Sequence, residues 1–317
     1  MNTRKEKNMT ERMCFLFLGT VLFYLAASLL LSLLGTVVPI HFYIYMAAGE
    51  IFIFLPAWYY LHRRKLPLKQ ALRTKKSLNF ATFLLLIPTA LFLEVTVSFI
   101  SYITALPFGN AVSDTMAGIS RYPVIVNILL IAVLPALAEE AVFRGVLYRG
   151  LRKHGFWKAA LVSSLFFGLI HMNINQFSYA FVLGIVLCLL GEATGSFWAP
   201  VMVHFCINLT SVLAMRDLAS QADYEEILST ETVLPSDQAL FYGVILFVAA
   251  ALCAALVALN VWLIAQSNDR LEYLAWTFRG GEKKFLRRLP REKLSCGALW
   301  VAVIIPSALL LVMQFAV

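Results

Sequence analysis

The stretch Ala138-Glu139-Glu140-Ala141-Val142-Phe143-Arg144 lies inside a long apolar run, Val124 to Leu147, that holds almost nothing else polar. Two adjacent carboxylates and a guanidinium are costly in a membrane-grade segment. Insertion scales charge roughly 2.5–3.5 kcal/mol for each such group at mid-bilayer. Groups kept at that depth either pair with one another or mark a site. What else in the chain can reach them decides between the two.

The 317-residue chain is 61% hydrophobic, with a mean hydropathy of +0.79. A soluble globular domain is nearer about half apolar, so this is an integral membrane protein, and its 24 Phe suit a lipid-facing surface. The net charge of +8 does not indicate nucleic acid. The Lys and Arg cluster between apolar runs, where the positive-inside rule places them. Cys14, Cys188, Cys206, Cys253 and Cys296 lie in or beside apolar spans with no C-x-x-C pairing, so neither a disulfide framework nor a cysteine zinc site is expected. The first apolar run, Cys14 to Val38, is too long for a signal-peptide core and lacks an A-x-A-like end. It reads as an uncleaved anchor helix.

An all-α polytopic bundle of about eight to nine spans is expected, because each crossing needs about 20 apolar residues. The nine candidates are 14–38, 42–61, 79–105, 122–148, 157–172, 179–191, 197–215, 239–265 and 297–317, with the fifth and sixth short. Basic loops follow even-numbered crossings: Arg63, Arg64, Lys65, Lys69, Arg73, Lys75 and Lys76, then Arg149, Arg152, Lys153 and Lys158, then Arg270, Arg279, Lys283, Lys284, Arg287, Arg288, Arg291 and Lys293. With Arg4, Lys5, Lys7 and Arg12 they fall on one side, which makes that side and the N-terminus cytoplasmic. The opposite loop 216–238 is acidic, with Asp217, Asp223, Glu225, Glu226, Glu231 and Asp237. The loop 266–296 offers Leu271, Leu274, Trp276 and Phe278 between basic flanks. That pattern suits an interfacial helix as well as it suits a solvated loop.

Several polar residues sit where lipid should be. On an ideal helix residues four apart are separated by about 40°, so Glu140 lies over Arg144 and can pair with it. Glu139 is then left to face the bundle interior. A carboxylate in a poorly solvated site suits a general acid or base; a purely structural polar cluster is the alternative. In the fifth span Phe167 and His171 share a face, and Ser164 with Gly168 forms a small-xxx-small pair that permits close helix approach. Taken singly, His171 beside Asn173, Asn175 and Gln176 reads as interfacial. In the seventh span His204 and Asn208 point to one side. They either hydrogen-bond between helices or donate to a developing oxyanion. At ~1.5 Å per residue, Glu139, His171 and His204 can converge at mid-membrane depth if the fifth span is tilted.

Three motifs in order carry a family resemblance: Glu139-Glu140-x-x-x-Arg144, Phe167-x-x-x-His171 and His204-x-x-x-Asn208. They resemble E-E-x-x-x-R, F-x-x-x-H and H-x-x-x-N of the CPBP intramembrane endopeptidases, also called the CAAX protease and bacteriocin-processing, or Abi, family. The resemblance covers roughly 122–213 and divides the chain into N-terminal membrane helices (1–121), a four-helix catalytic core (122–215) and C-terminal membrane helices with a basic loop (216–317). It implies a glutamate-dependent peptidase acting on peptide or protein substrates at the membrane. Glu139 with His171 would activate a water, and His204 with Asn208 would hold the oxyanion. It implies no cofactor. Two His and one Glu could ligate zinc, but H-E-x-x-H is missing and the oxyanion reading needs no metal. G-x-S-G and G-x-G-D, the marks of serine and aspartyl intramembrane proteases, are also missing.

Two other function classes stand beside this one. A non-catalytic membrane regulator or scaffold could carry the same motifs. A transporter could use Glu50 and Glu94, further acids within apolar runs, although the odd span count and missing inverted repeats speak against it. No feature of the sequence sets an oligomeric state.

Overall fold

Backbone polar groups in hydrocarbon must be satisfied within the chain, which favours helices. A computed structural model describes residues 8–72, 76–109, 122–219, 236–279, 281–286 and 293–315, and among these the regular structure is helical with no strand. Arg4, Lys5, Lys7, Arg73, Lys75, Asp223, Glu225, Glu226, Glu231, Arg287, Arg288 and Arg291, named above for topology, lie outside the described residues. Twelve helices follow in order: α1 Met9–Gly35, α2 Phe42–Arg63, α3 Leu68–Leu72, α4 Phe80–Phe108, α5 Val124–His154, α6 Phe156–Leu169, α7 Ile174–Thr194, α8 Trp198–Ala219, α9 Ser236–Ser267, α10 Leu271–Phe278, α11 Gly281–Leu286 and α12 Gly297–Phe315. Seven of them (α1, α2, α4, α5, α7, α9 and α12) are long and apolar enough to cross a membrane, and α6 and α8 supply two shorter apolar stretches. The chain is a multi-pass membrane helix bundle.

The sixth expected span is longer than the sequence suggested. It runs for 21 residues because Asn173 caps it, its side chain accepting from Gln176 N–H, and Gly195 closes it at φ 68°. The polar first turn looked like loop. Asn175 is in fact buried, its Nδ2 donating to Ser101 O at 2.7 Å and Thr104 Oγ1 at 2.9 Å on α4. The fifth span is as short as expected, 14 residues. His171 therefore lies beyond the helix, in the turn before Met172, whose φ is 51°.

α5 carries the stretch quoted first, and it is not a uniform α-helix. Wider π turns occupy Ile128–Val133 and Ala141–Tyr148, on either side of Leu134–Glu140. Pro135 has no N–H to give the carbonyl one turn back and crowds it, which opens the first. In the second, the Ser163 hydroxyl of α6 donates to Phe143 O at 2.8 Å. Such turns concentrate at functional sites.

Packing fixes the two hairpin helices beside α5. A Cβ on Gly184 of α7 would come within 2.8 Å of Ser164 on α6, and one on Gly168 within 2.9 Å of the Phe177 carbonyl. These small residues let α6 and α7 approach closely. Phe166, on another face of α6, stacks on Phe17 of α1 at 4.1 Å.

The basic loops meet at one end of the bundle. Arg149 donates to the Gln70 and Ala71 carbonyls of α3, and Ser196 donates to Lys76 O at 2.5 Å. Glu192 at the end of α7 accepts from Tyr148 at 2.7 Å, Arg152 at 2.8 Å and Tyr273 at 2.6 Å. Arg152 also reaches Glu282 on α11, which accepts from Phe156 N–H at 2.9 Å. The helices α10 and α11 are thus docked rather than free. α10 buries Leu274 and leaves Trp276 and Phe278 exposed, the two-faced helix that its sequence permits.

Candidate active site

Glu139 and Glu140 close the α-helical part of α5, just before the second π turn. Both are buried, with 6% and 0% exposure, as is Arg144 at 6%. Arg144 Nη1 lies 2.9 Å from Glu140 Oε1, so the expected pair is formed. Its N–H bonds are not aligned along that contact. The three guanidinium nitrogens and Glu140 Oε2 have no hydrogen-bond partner among the described residues. Charge and stacking hold the guanidinium instead: its carbon sits 4.2 Å above the Phe167 ring, an attraction of about 2 kcal/mol when desolvated.

His204 on α8 bridges the two carboxylates. Its Nδ1 is 3.0 Å from Glu140 Oε1, and its Nε2 is 3.6 Å from Glu139 Oε2. The second distance is longer than a hydrogen bond and suits a bridging water or reacting atom. Phe167 packs edge-on against both histidines, with ring centroids 5.8 Å from His204 and 5.2 Å from His171. His171 Nδ1 lies 2.7 Å from Phe167 O, which fixes the ring across the interrupted end of α6.

The structure brings Glu139, Glu140, Arg144 and His204 into one cluster, with His171 joined to it through Phe167. It gives no hydrogen bond or ion pair between His171 and Glu139. Asn208 is half-buried one turn beyond His204 on α8. Among the described residues no three His, Cys, Asp or Glu side chains are grouped to hold a metal ion.

Two cavities flank the cluster. One of about 300 Å³ is walled by Phe54, Leu134, Leu137, Ala138 and Trp198, and Glu50 alone brings a charge to its lining. The other, about 130 Å³, lies toward the basic end and is lined by Arg144, Arg149, Arg152 and Glu192. Leu72 and Phe197 line both and separate them.

Sequence reading missed the Phe167 seat for Arg144, although the F-x-x-x-H spacing contained it. It flagged Glu50 but gave it to a different function. Glu50 is among the charged neighbours of Glu139, with His204, Glu140 and Arg144. The signal was its isolation in the apolar run of α2.

Comparison with known proteins places the likeness on these helices. Residues 121–210 match the family described as type II CAAX prenyl endopeptidase, Rce1-like. A stretch of 108 residues is 29% identical to the "Putative membrane peptidase YdiL" of Bacillus subtilis (strain 168). That match takes in 34% of this chain and 43% of the relative's own length. No solved structure matches the chain. The family match takes in the helices that carry the three motifs.

Proposed function

We propose that the chain is an intramembrane endopeptidase in which Glu139 activates a water for attack on a peptide carbonyl. One observation carries the reading: Glu139 faces His204 Nε2 across 3.6 Å, while Glu140 is committed to Arg144 and to His204 Nδ1. The two adjacent carboxylates are thereby given different tasks. Glu140 and Arg144 orient the imidazole, and Glu139 stays open to a ligand.

Glu139 takes a proton from the water as its oxygen attacks the scissile carbonyl. The C–N bond breaks as that proton passes to the leaving amine. His171 packs on the other edge of Phe167 and flanks the water. His204, held through Nδ1 against Glu140, turns Nε2 to the oxyanion. Asn208, a turn further along α8, is the second donor. The chemistry uses no metal.

The substrate is a membrane-associated peptide or protein segment, and the partners are that segment and the surrounding lipid, with no nucleic acid. The protein sits in the cell membrane with its N-terminus and basic loops cytoplasmic. The joining of those loops at one end supports that orientation. The test compares membrane peptides, by mass spectrometry, from cells making wild type and Glu139→Gln at equal level. A cleaved fragment present only with wild type is expected. Identical profiles, with any cellular phenotype kept by the variant, contradict the peptidase reading in favour of a scaffold.

A further inference from the structure

α10 is far too short to cross a membrane, and it sits where three longer apolar helices end. Arg270 and Tyr273 bond Glu192 in the last turn of α7. Arg152, at the end of α5, donates to the Tyr273 hydroxyl at 2.9 Å. Phe278 packs edge-on against the buried Phe156 that opens α6, with ring centroids 5.6 Å apart. In a membrane bundle those three helix ends mark the edge of the bilayer. They hold α10 at that depth.

The outward side of α10 combines exposed rings with exposed cations. On each of three neighbouring elements an exposed aromatic residue is next in sequence to an exposed cation: Trp157 with Lys158 on α6, Phe278 with Arg279 at the end of α10, and Phe285 with Lys284 on α11. The Trp157 and Phe278 rings meet at 5.6 Å, and Trp276, also exposed, meets Phe285 at 6.4 Å. On an ideal helix Phe278 and Trp276 are about 160° apart, with Ala275, Arg279 and Glu272 on the arc between them. Glu272 lies about two turns from Arg279. Aromatic rings at this depth seat at the level of the headgroups, and cations beside them attract anionic lipid.

We infer that this surface is a seat for anionic phospholipid: the rings enter the headgroup layer of the leaflet on the basic side, and Lys158, Arg279 and Lys284 hold the lipid phosphates. The occupant is lipid rather than a soluble partner, because the ends of membrane helices set the depth of α10. It is anionic because the three cations stand against Glu272 alone; Glu282, the other acid of α10 and α11, is buried against Arg152. Tyr273, on the opposite side of α10, holds Glu192. Lipid on one side and the ends of the crossing helices on the other thus clamp the same helix. The inference draws nothing from the chemistry at Glu139.

The two tryptophans of the surface report its occupant. Full-length protein is placed in phosphatidylcholine nanodiscs that carry a small fraction of brominated lipid, either phosphatidylglycerol or phosphatidylcholine, with the bromines near the glycerol end of the chain. Bromine quenches a nearby indole. The signal of Trp157 and Trp276 is the difference between the protein and its Trp157→Phe/Trp276→Phe variant. Brominated phosphatidylglycerol is expected to quench that signal at about fivefold lower content than brominated phosphatidylcholine, the preference that one cation near the surface confers. In Lys158→Gln/Arg279→Gln/Lys284→Gln the two lipids should quench alike. If that variant fails to fold, the two lipids on the wild-type protein still decide. Equal quenching of the wild type by both lipids overturns the inference, as does a preference that survives in the triple variant. A difference signal that neither brominated lipid quenches also overturns it, whether water or a second copy of the chain covers the rings.

Discussion

Arg144 is the residue on which the cluster turns. It neutralises Glu140 at 2.9 Å and lies on Phe167 at 4.2 Å. Arg144→Ala strands a buried carboxylate, and breaking such a pair costs about 3–5 kcal/mol. The variant should unfold at a clearly lower temperature in detergent, and Arg144→Ala/Glu140→Gln should recover part of the loss. Arg144→Lys restores the charge but not the flat guanidinium over the ring, so it should recover less stability than charge alone predicts. Recovery to wild-type stability by Arg144→Lys would show that Phe167 contributes nothing. Glu139→Gln should cost peptidase activity about 10²–10⁴-fold, the range for removing a general base, with little change in unfolding temperature. The pairing of Glu140 with Arg144 was legible from four-residue spacing. The Nδ1 contact of His204 with Glu140 was not, because spacing along one helix says nothing about the rotation of another.

At the scale of elements, α6 and α7 hold His171 and depend on small residues between them. Gly184→Ala drives a Cβ into Ser164 at 2.8 Å and should destabilise the protein by about 1–3 kcal/mol. Gly191→Ala on the same helix meets nothing within 4 Å, and should be neutral or stabilising by about 0.5–1 kcal/mol. Similar unfolding temperatures for the two would contradict this packing. The docking of α10 is sensitive to pH. Tyr273 donates to Glu192, and burial together with that carboxylate pushes its hydroxyl above the usual tyrosine range. A raised folded-state value favours the docked form below the unfolded tyrosine value of about 10 and loses that contribution as pH rises through the raised value. Protease cleavage within α10 should therefore stay slow through neutral pH and accelerate in alkali, and Tyr273→Phe should be cleaved faster at neutral pH. Alkali-insensitive cleavage would count against the contact. Hydropathy located the long apolar helices, with ends displaced by more than a turn at Met9 and His154. It missed the first turn of α7, whose Asn175 is satisfied by α4, and the π turns of α5, which arise from Pro135 and from a hydroxyl on another helix.

At the scale of the molecule, charge and hydropathy together predict nine crossings, seven by long helices and two by α6 and α8. Reporter domains fused before Met1 and after Val317 should report opposite sides, with the N-terminal one cytoplasmic. Reporters on the same side would remove one of the short crossings. The bundle class was legible because lipid permits few folds, and the candidate cluster because its motifs bring charge into apolar runs. The cavities were not legible, since the walls of the apolar one come from α2, α3, α5 and α8 together and those of the other from α3, α5, α7 and α8. Hydrolysis at Glu139 can be read directly. The purified protein in nanodiscs is incubated, in water enriched in oxygen-18, with membrane peptides from cells that lack it. Fragments with one oxygen-18 in a new C-terminal carboxylate are expected for wild type and none for Glu139→Gln. The same labelled fragments from both proteins, or from neither, would contradict it.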